Sequence, residues 1–329
     1  MAGRQVQTFY AQISANRRQS LLLVLVVVLL LGALGFTIGF ALSGYVEGGI
    51  VATGIAVAIA LLMSLVSYYS GDRIVLAASQ AREVSETQAP QLLNVVREIS
   101  IAANIPPPRV YIIDDSAPNA FATGRDPRHA SIAVTTGLLG KLDREELQGV
   151  IAHELAHVRN LDIRFALLVG VLVGSIVLLA DFFLRFTWFG GGRRSERRGG
   201  DGGGGLIIVV YVIAIVLAIL APFVARLVQL AVSRQREYLA DASAIELTRN
   251  PSGLESALAR ISSDQEVLEV ANRATQHLYF VNPIKKFEER SSGLFSTHPP
   301  LIDRINRLRQ LTGQAPLDAR TTGALSGLD

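Results

Sequence analysis

The sequence predicts an α-helical integral membrane protein that carries a mostly helical α+β domain with a small β-sheet. Three observations lead there. First, 50% of the 329 residues are hydrophobic and only 18% are charged, well under the usual quarter. Second, the apolar residues are clumped. Ser20–Leu42 and Gly48–Ser70 contain no charge, and each exceeds the roughly 20 residues that span a bilayer as a helix. Third, residues 72–160 lose this character and mix helical periodicity with short β-branched runs.

Residues 1–19 are polar and carry Arg4, Arg17 and Arg18. They resemble the n-region of a signal peptide, but the apolar core that follows is too long for a cleaved signal. Residues 20–71 are therefore expected to form two retained transmembrane helices. The link Ser43–Glu47 has no Lys or Arg, whereas Arg73 and Arg82 follow the second span. The positive-inside tendency then places residues 1–19 and the segment after Gly71 on the cytoplasmic side. The net charge of +3 comes mostly from Arg near apolar runs and reads as membrane-surface charge. No basic patch interleaved with aromatics occurs, so no nucleic-acid partner is expected. Cysteine is absent, so no disulfide can form, which fits a reducing compartment.

Residues 72–163 form the first part of the domain outside the bilayer. Pro90–Ala103 reads as an amphipathic helix that ends before Pro106, Pro107 and Pro108. Arg109–Ile113 and Ser131–Thr135 read as strands, with Arg125–Arg128 as a turn. From pattern alone, Asn119–Gly124 reads as a plain hairpin strand. An edge strand beside an active site has a further use, because it can pair with an extended peptide.

The stretch Val150–Arg159 then holds His153, Glu154 and His157 in the pattern H-E-x-x-H. Asp143 is the expected N-cap, with Glu145 and Glu146 in the first turn, which is how a helix start reads. On that helix the two imidazoles project from one face, one turn apart. They suit a single metal ion, and zinc accepts nitrogen ligands while leaving a position open. Glu154, adjacent to the first ligand, is placed to act as general base on an attacking water. The alternative is a chance match on an ordinary amphipathic helix, which five His in the whole chain make improbable.

Residues 164–230 are expected to form a transmembrane hairpin. Phe165–Ala180 is a third apolar run, short and closed by Asp181; Leu206–Ala225 is a fourth, with Pro222 near its end. Between them, Gly190–Gly205 is rich in Gly and carries Arg193, Arg194, Arg197 and Arg198, so flexibility is expected there. Residues 231–312 return to the domain outside the bilayer. Glu237 and Asp241 are four apart on one helix face. Alone they read as a solvated acid pair. Beside H-E-x-x-H, Glu237 reads as a third zinc ligand and Asp241 as the partner of the outer nitrogen of a ligating His. His298 lies in Ser296–Pro300, either a donor to a developing oxyanion or a loop residue. His129 and His277 have no partner pattern and read as structural or surface residues. Residues 313–329 read as a disordered tail.

These motifs together resemble the HtpX family of membrane zinc metalloproteases, relatives of the prenyl-protein (CAAX) endopeptidases. The resemblance rests on the two N-terminal spans, Asn119–Gly124, His153–His157, the apolar hairpin, Glu237–Asp241 and Thr297–Pro300. It implies a zincin-like domain holding one zinc ion per chain on His153, His157 and Glu237, with Glu154 as base and Asp241 as the ligand's partner. It implies that Asn119–Gly124, in particular Asn119, Ala120 and Phe121, holds the substrate backbone, and that His298 donates in the transition state. It further implies polypeptide substrates, namely misfolded or damaged membrane proteins, cut on the cytoplasmic face of a bacterial inner membrane.

Two other readings stay open at this point. An intramembrane-cleaving metalloprotease would bury H-E-x-x-H in a span, but Arg144, Glu145, Glu146 and Arg159 flank the motif at a high cost in hydrocarbon. A non-catalytic metal-binding scaffold would not need Glu154. Topology adds one constraint. His153 and Glu237 must meet at one ion, so the chain between them crosses the bilayer an even number of times. Two full spans satisfy this but set four Arg outside, against the positive-inside tendency. A shallow hairpin would avoid that; two spans are favoured because Leu206–Ala225 is long enough.

Overall fold

The computed structural model describes residues 9–43, 45–169, 212, 216, 220, 234–264, 266, 279–280, 299–311 and 313–317. Two long helices open the chain, α1 (Phe9–Ser43) and α2 (Val46–Ala78). They pack tightly through small residues. A Cβ on Gly35 would lie 2.7 Å from both the Ala52 carbonyl oxygen and the Ala56 Cβ, so only glycine permits this approach. Among the described residues, one helix, α2, is long and apolar enough to cross a membrane by length and composition. The pair exposes Leu21, Leu25, Leu29, Ile50, Ile55 and Leu62 on its outside, as a lipid-facing surface would.

The apolar run ends at Ser70, but α2 continues to Ala78. Its last two turns belong to the domain beyond. Val75 and Leu76 are buried against Tyr111, Ile113, Phe121, Ala133, Leu167 and Tyr279. The expected boundary at residue 71 is therefore not the end of an element.

The sheet holds β1 (Arg82–Glu83), β2 (Arg109–Ile113), β3 (Ala120–Gly124) and β4 (Ala130–Thr135). Their order is β1-β2-β4-β3, with β2 and β4 parallel and the other pairs antiparallel. Three strands lie within one residue of their expected places, whereas two-residue β1 leaves no periodic signal. The sheet is buried on both faces. Val110, Ala120, Ala122, Ile132 and Val134 face the main helical core. Tyr111, Ile113, Phe121 and Ala133 face the end of α2. This is the period-2 alternation of strands at work between two apolar layers.

Helix α3 (Pro90–Ala103) starts with Pro at its first position and ends at Asn104 in the left-handed conformation, φ 53°. After α4 (Thr136–Lys141) comes α5 (Arg144–Arg159), the motif helix. Asp143 caps it through a reciprocal pair of hydrogen bonds with Glu146, both 2.9 Å. Helices α6 (Arg234–Thr248), α7 (Pro251–Ser263) and α8 (Leu301–Leu311) complete the described structure. Helix α5 is the central element, with Val150, Ile151, Ala152 and Leu155 fully buried. Helix α7 approaches it closely where Gly149 faces the Leu254 backbone.

The third apolar run does not extend α5. Leu161 adopts φ 61° and breaks the helix; residues 162–169 then start a new helical segment. Phe165, Leu168 and Val169 pack against Leu23 and Val27 of α1. Arg164 Nε donates to the Arg125 carbonyl at 2.7 Å, fastening the segment to the turn after β3. Residues 170–211, with the Gly/Arg-rich linker, and nearly all of the fourth run lie outside the described residues.

Candidate active site

Helix periodicity alone brings His153 and His157 together, and the structure shows their Nε2 atoms 3.1 Å apart. Helix α6 crosses α5 and delivers Glu237. Its carboxylate oxygens lie 3.5 Å from His153 Nε2 and 3.5 Å from His157 Nε2. Ligand atoms on a tetrahedral zinc, at bond lengths near 2.0–2.1 Å, stand about 3.3 Å from one another. The observed spacings match that triangle, and the donor set of two imidazoles and one carboxylate suits zinc.

Charge agrees with this. Glu154, Glu237, Asp241 and Asp162 are all buried around the site, together with Arg236 and Arg304. Four acids thus outnumber two guanidinium groups around the site, an arrangement that favours a cation. Burial alone would lower the pKa of His157, but its hydrogen bond to Asp162 and the charges of Glu237, Asp162 and Glu154 push it up to about 9. The pocket attracts positive charge, and a proton and a metal ion compete for it.

Each imidazole is held from behind. The tautomer that offers Nε2 to a metal carries its proton on Nδ1. Asp241 Oδ1 lies 2.9 Å from His153 Nδ1. Asp162 Oδ2 lies 2.9 Å from His157 Nδ1. Burial would raise Asp241, but the Arg304 guanidinium and the bond from His153 hold it below its ordinary value.

Glu154 is 3% exposed. Burial raises its pKa; His153, His157 and a hydrogen bond from the Ala122 backbone N–H pull it down, Glu237 pushes it up, and burial prevails. That bond ties the carboxylate to β3. In β3, residues 121 and 123 turn their backbone groups toward β4, so 120, 122 and 124 turn theirs outward, as the Phe280 N–H to Ala120 carbonyl bond of 2.7 Å shows. Asn119 is buried, and its Oδ1 accepts from the Ala120 N–H at 3.0 Å. Phe121 is fully buried and its ring meets Tyr279 edge-on at 5.1 Å. The strand residue beside Glu154 is thus Ala122. His298 and His277 lie outside the described residues. His129 is a surface residue, its Nδ1 2.8 Å from Asp126 Oδ1.

Comparison with known proteins settles the family. The profile of peptidase family M48 matches residues 86–312. The "Protease HtpX homolog" of Dictyoglomus thermophilum is 43% identical over 304 residues, covering 92% of this chain and 95% of that protein. The "Protease HtpX homolog" of Streptococcus uberis is 42% identical over 302 residues, covering 92% and 99%. Among solved structures, the crystal structure of S. mikatae Ste24p is similar over 77% of this chain and 57% of its own, at 18% identity and a TM-score of 0.42.

The chain belongs to peptidase family M48. It is a metalloprotease of that family, with His153, His157 and Glu237 close together as possible metal ligands. Three residues at this M48 centre escaped sequence reasoning in the places they occupy. Asp162, just past the motif, reads in the sequence as a reserve ligand after Glu237, whereas it stands behind His157 Nδ1. Arg236 sits beside Glu237 in the chain and reads as one more base on a basic helix. Arg304 carries no local signal; only its position after Pro299–Pro300, on a short amphipathic helix, marks it as part of an ordered element.

Proposed function

We propose that this chain is a membrane-bound, zinc-dependent endopeptidase that cuts misfolded or damaged membrane proteins on the cytoplasmic side of a bacterial inner membrane. The observation that carries the reading is the convergence of His153 Nε2, His157 Nε2 and the Glu237 carboxylate beside buried Glu154, at the outward edge of β3. Zinc bound by these three residues would lower the pKa of water toward 7 and polarise the scissile carbonyl.

The chain's own residues do the rest. A substrate peptide adds to the outer edge of β3 by donating to the Ala122 carbonyl, the Ala122 N–H being held by Glu154. Asn119 and Phe121 fix that edge, one by its bond to Ala120 and the other by its buried ring. Glu154 takes the proton of the attacking water and passes it to the leaving amine. Its raised proton affinity in a buried pocket suits both transfers. Asp241 and Asp162 keep the two imidazoles in the ligating tautomer. His298 donates to the developing oxyanion.

Helix α2, the exposed apolar side chains of the α1–α2 pair and the two later apolar runs support a multi-pass membrane protein. A lipid bilayer and polypeptides are the partners this implies. In zinc-loaded protein, Glu154→Gln should retain about one zinc per chain while cleavage of a membrane-protein substrate falls about 100- to 10,000-fold. Cleavage near the parent rate would sink the assignment of the base. For topology, Ser195→Cys should react with an impermeant thiol reagent on intact cells; labelling only after lysis would show that the hairpin does not fully span.

A further inference from the structure

Arg304 is 0% exposed and ranks among the largest fully buried side chains. Desolvating a guanidinium is expensive, and such a group persists where its planar fork does something a compact ammonium cannot. Here the fork closes on Asp241. Arg304 Nε donates to Oδ2 at 2.9 Å and Nη2 to Oδ1 at 2.6 Å. The same Oδ1 lies 2.9 Å from His153 Nδ1. Arg304 Nη1 donates to the Phe280 carbonyl at 3.4 Å and stands 3.8 Å from Glu237 Oε2. The guanidinium carbon lies over the Phe280 ring, 4.7 Å from its centroid, and that ring meets His153 edge-on at 4.9 Å.

We propose that Arg304 is a positioning residue for the metal site, acting through the plane of the Asp241 carboxylate on His153. This rests on the zinc-peptidase reading above. A lone carboxylate turns about its own bond and presents its oxygens over a wide arc. Two parallel bonds from a fork remove that freedom and aim Oδ1 at the imidazole. The cation also offsets the two acids that stand behind and beside the ligand. Helix α8 thus supports, from behind, a cluster whose His153, His157 and Glu237 come from α5 and α6. The role is geometric as well as electrostatic, so a lysine that preserves charge does not replace it.

The test compares wild type, Arg304→Lys and Arg304→Ala as full-length, detergent-solubilised, zinc-loaded protein. Zinc loss to a chromogenic chelator is followed in time, with thermal unfolding of each zinc-free sample as a control. Loss of a partner behind a ligand costs about 10- to 100-fold in metal affinity, and Arg304→Lys should release zinc faster by a factor in that range. Millimolar guanidinium should slow zinc loss from Arg304→Ala, and ammonium at equal ionic strength should not. A role in folding alone would change the unfolding temperature without this ion-specific rescue. Zinc retention by Arg304→Lys equal to wild type, or equal rescue by both ions, overturns the proposal. Wild type that holds no stoichiometric zinc would instead overturn the zinc-peptidase reading itself, and this proposal with it.

Discussion

Asp162→Asn isolates the contribution of a charge behind His157. The substitution keeps shape and leaves an amide oxygen to accept from Nδ1, where Asp162 Oδ2 now stands at 2.9 Å. What it removes is the negative charge. Loss of such a partner costs about 10- to 100-fold in metal affinity, or about 1.4–2.7 kcal/mol. Two features place this case in the upper half of that range. The bond to Asp162 is the largest of the influences that raise His157 to about 9. Asp162 is also the leading counter-charge of buried Arg236, so the amide leaves a guanidinium poorly compensated. Chelator competition with a zinc indicator measures the affinity, and total metal analysis checks stoichiometry. Affinity equal to wild type would refute the reasoning. Asp162 also opens the helical segment 162–169, and Asp162→Ser separates that role. Serine starts a helix well but cannot reach His157, so full zinc affinity in Asp162→Ser would assign the residue to the helix alone.

Glu237→Ala should leave the protein largely zinc-free after dialysis, whereas Asp241→Asn should weaken binding only about 10- to 100-fold; equal, full occupancy in both would place the third ligand elsewhere. Zinc added to metal-free protein near pH 7.5 should release protons, because His157, raised to about 9, is protonated there and must lose its proton to bind. The release should fade as pH climbs past that value, where the imidazole is already neutral; an indicator dye in weak buffer reads it, and no release near pH 7.5 would refute it. Gly149→Val should destabilise the domain by about 1–3 kcal/mol, since a Cβ there lies 2.7 Å from the Leu254 backbone nitrogen. An unchanged unfolding temperature would show that α7 is free to move aside.

By itself the sequence determined whatever depends on neighbours within about two turns. Period 3.6 sets His153 above His157 and Glu237 above Asp241, and the Asp143–Glu146 pair marks the start of α5. Prolines and β-branched runs marked α3, β2 and β4, since those signals act on the residues that carry them. The clumped apolar runs pointed to a membrane, and α2 is long and apolar enough to cross one. The rest came from residues far apart in sequence or from one unusual dihedral. Leu161 in the left-handed region swings Asp162 back to His157; a continued helix would have carried it round to another face. The end of α2 joins the domain core because Val75 and Leu76 meet strands that follow them at a distance. Arg304 reaches Asp241 across 63 residues, and through Asp241 it reaches His153. No periodicity operates over such separations, so only the packing of α8 against α6 and α7 decided that a C-terminal arginine stands behind His153.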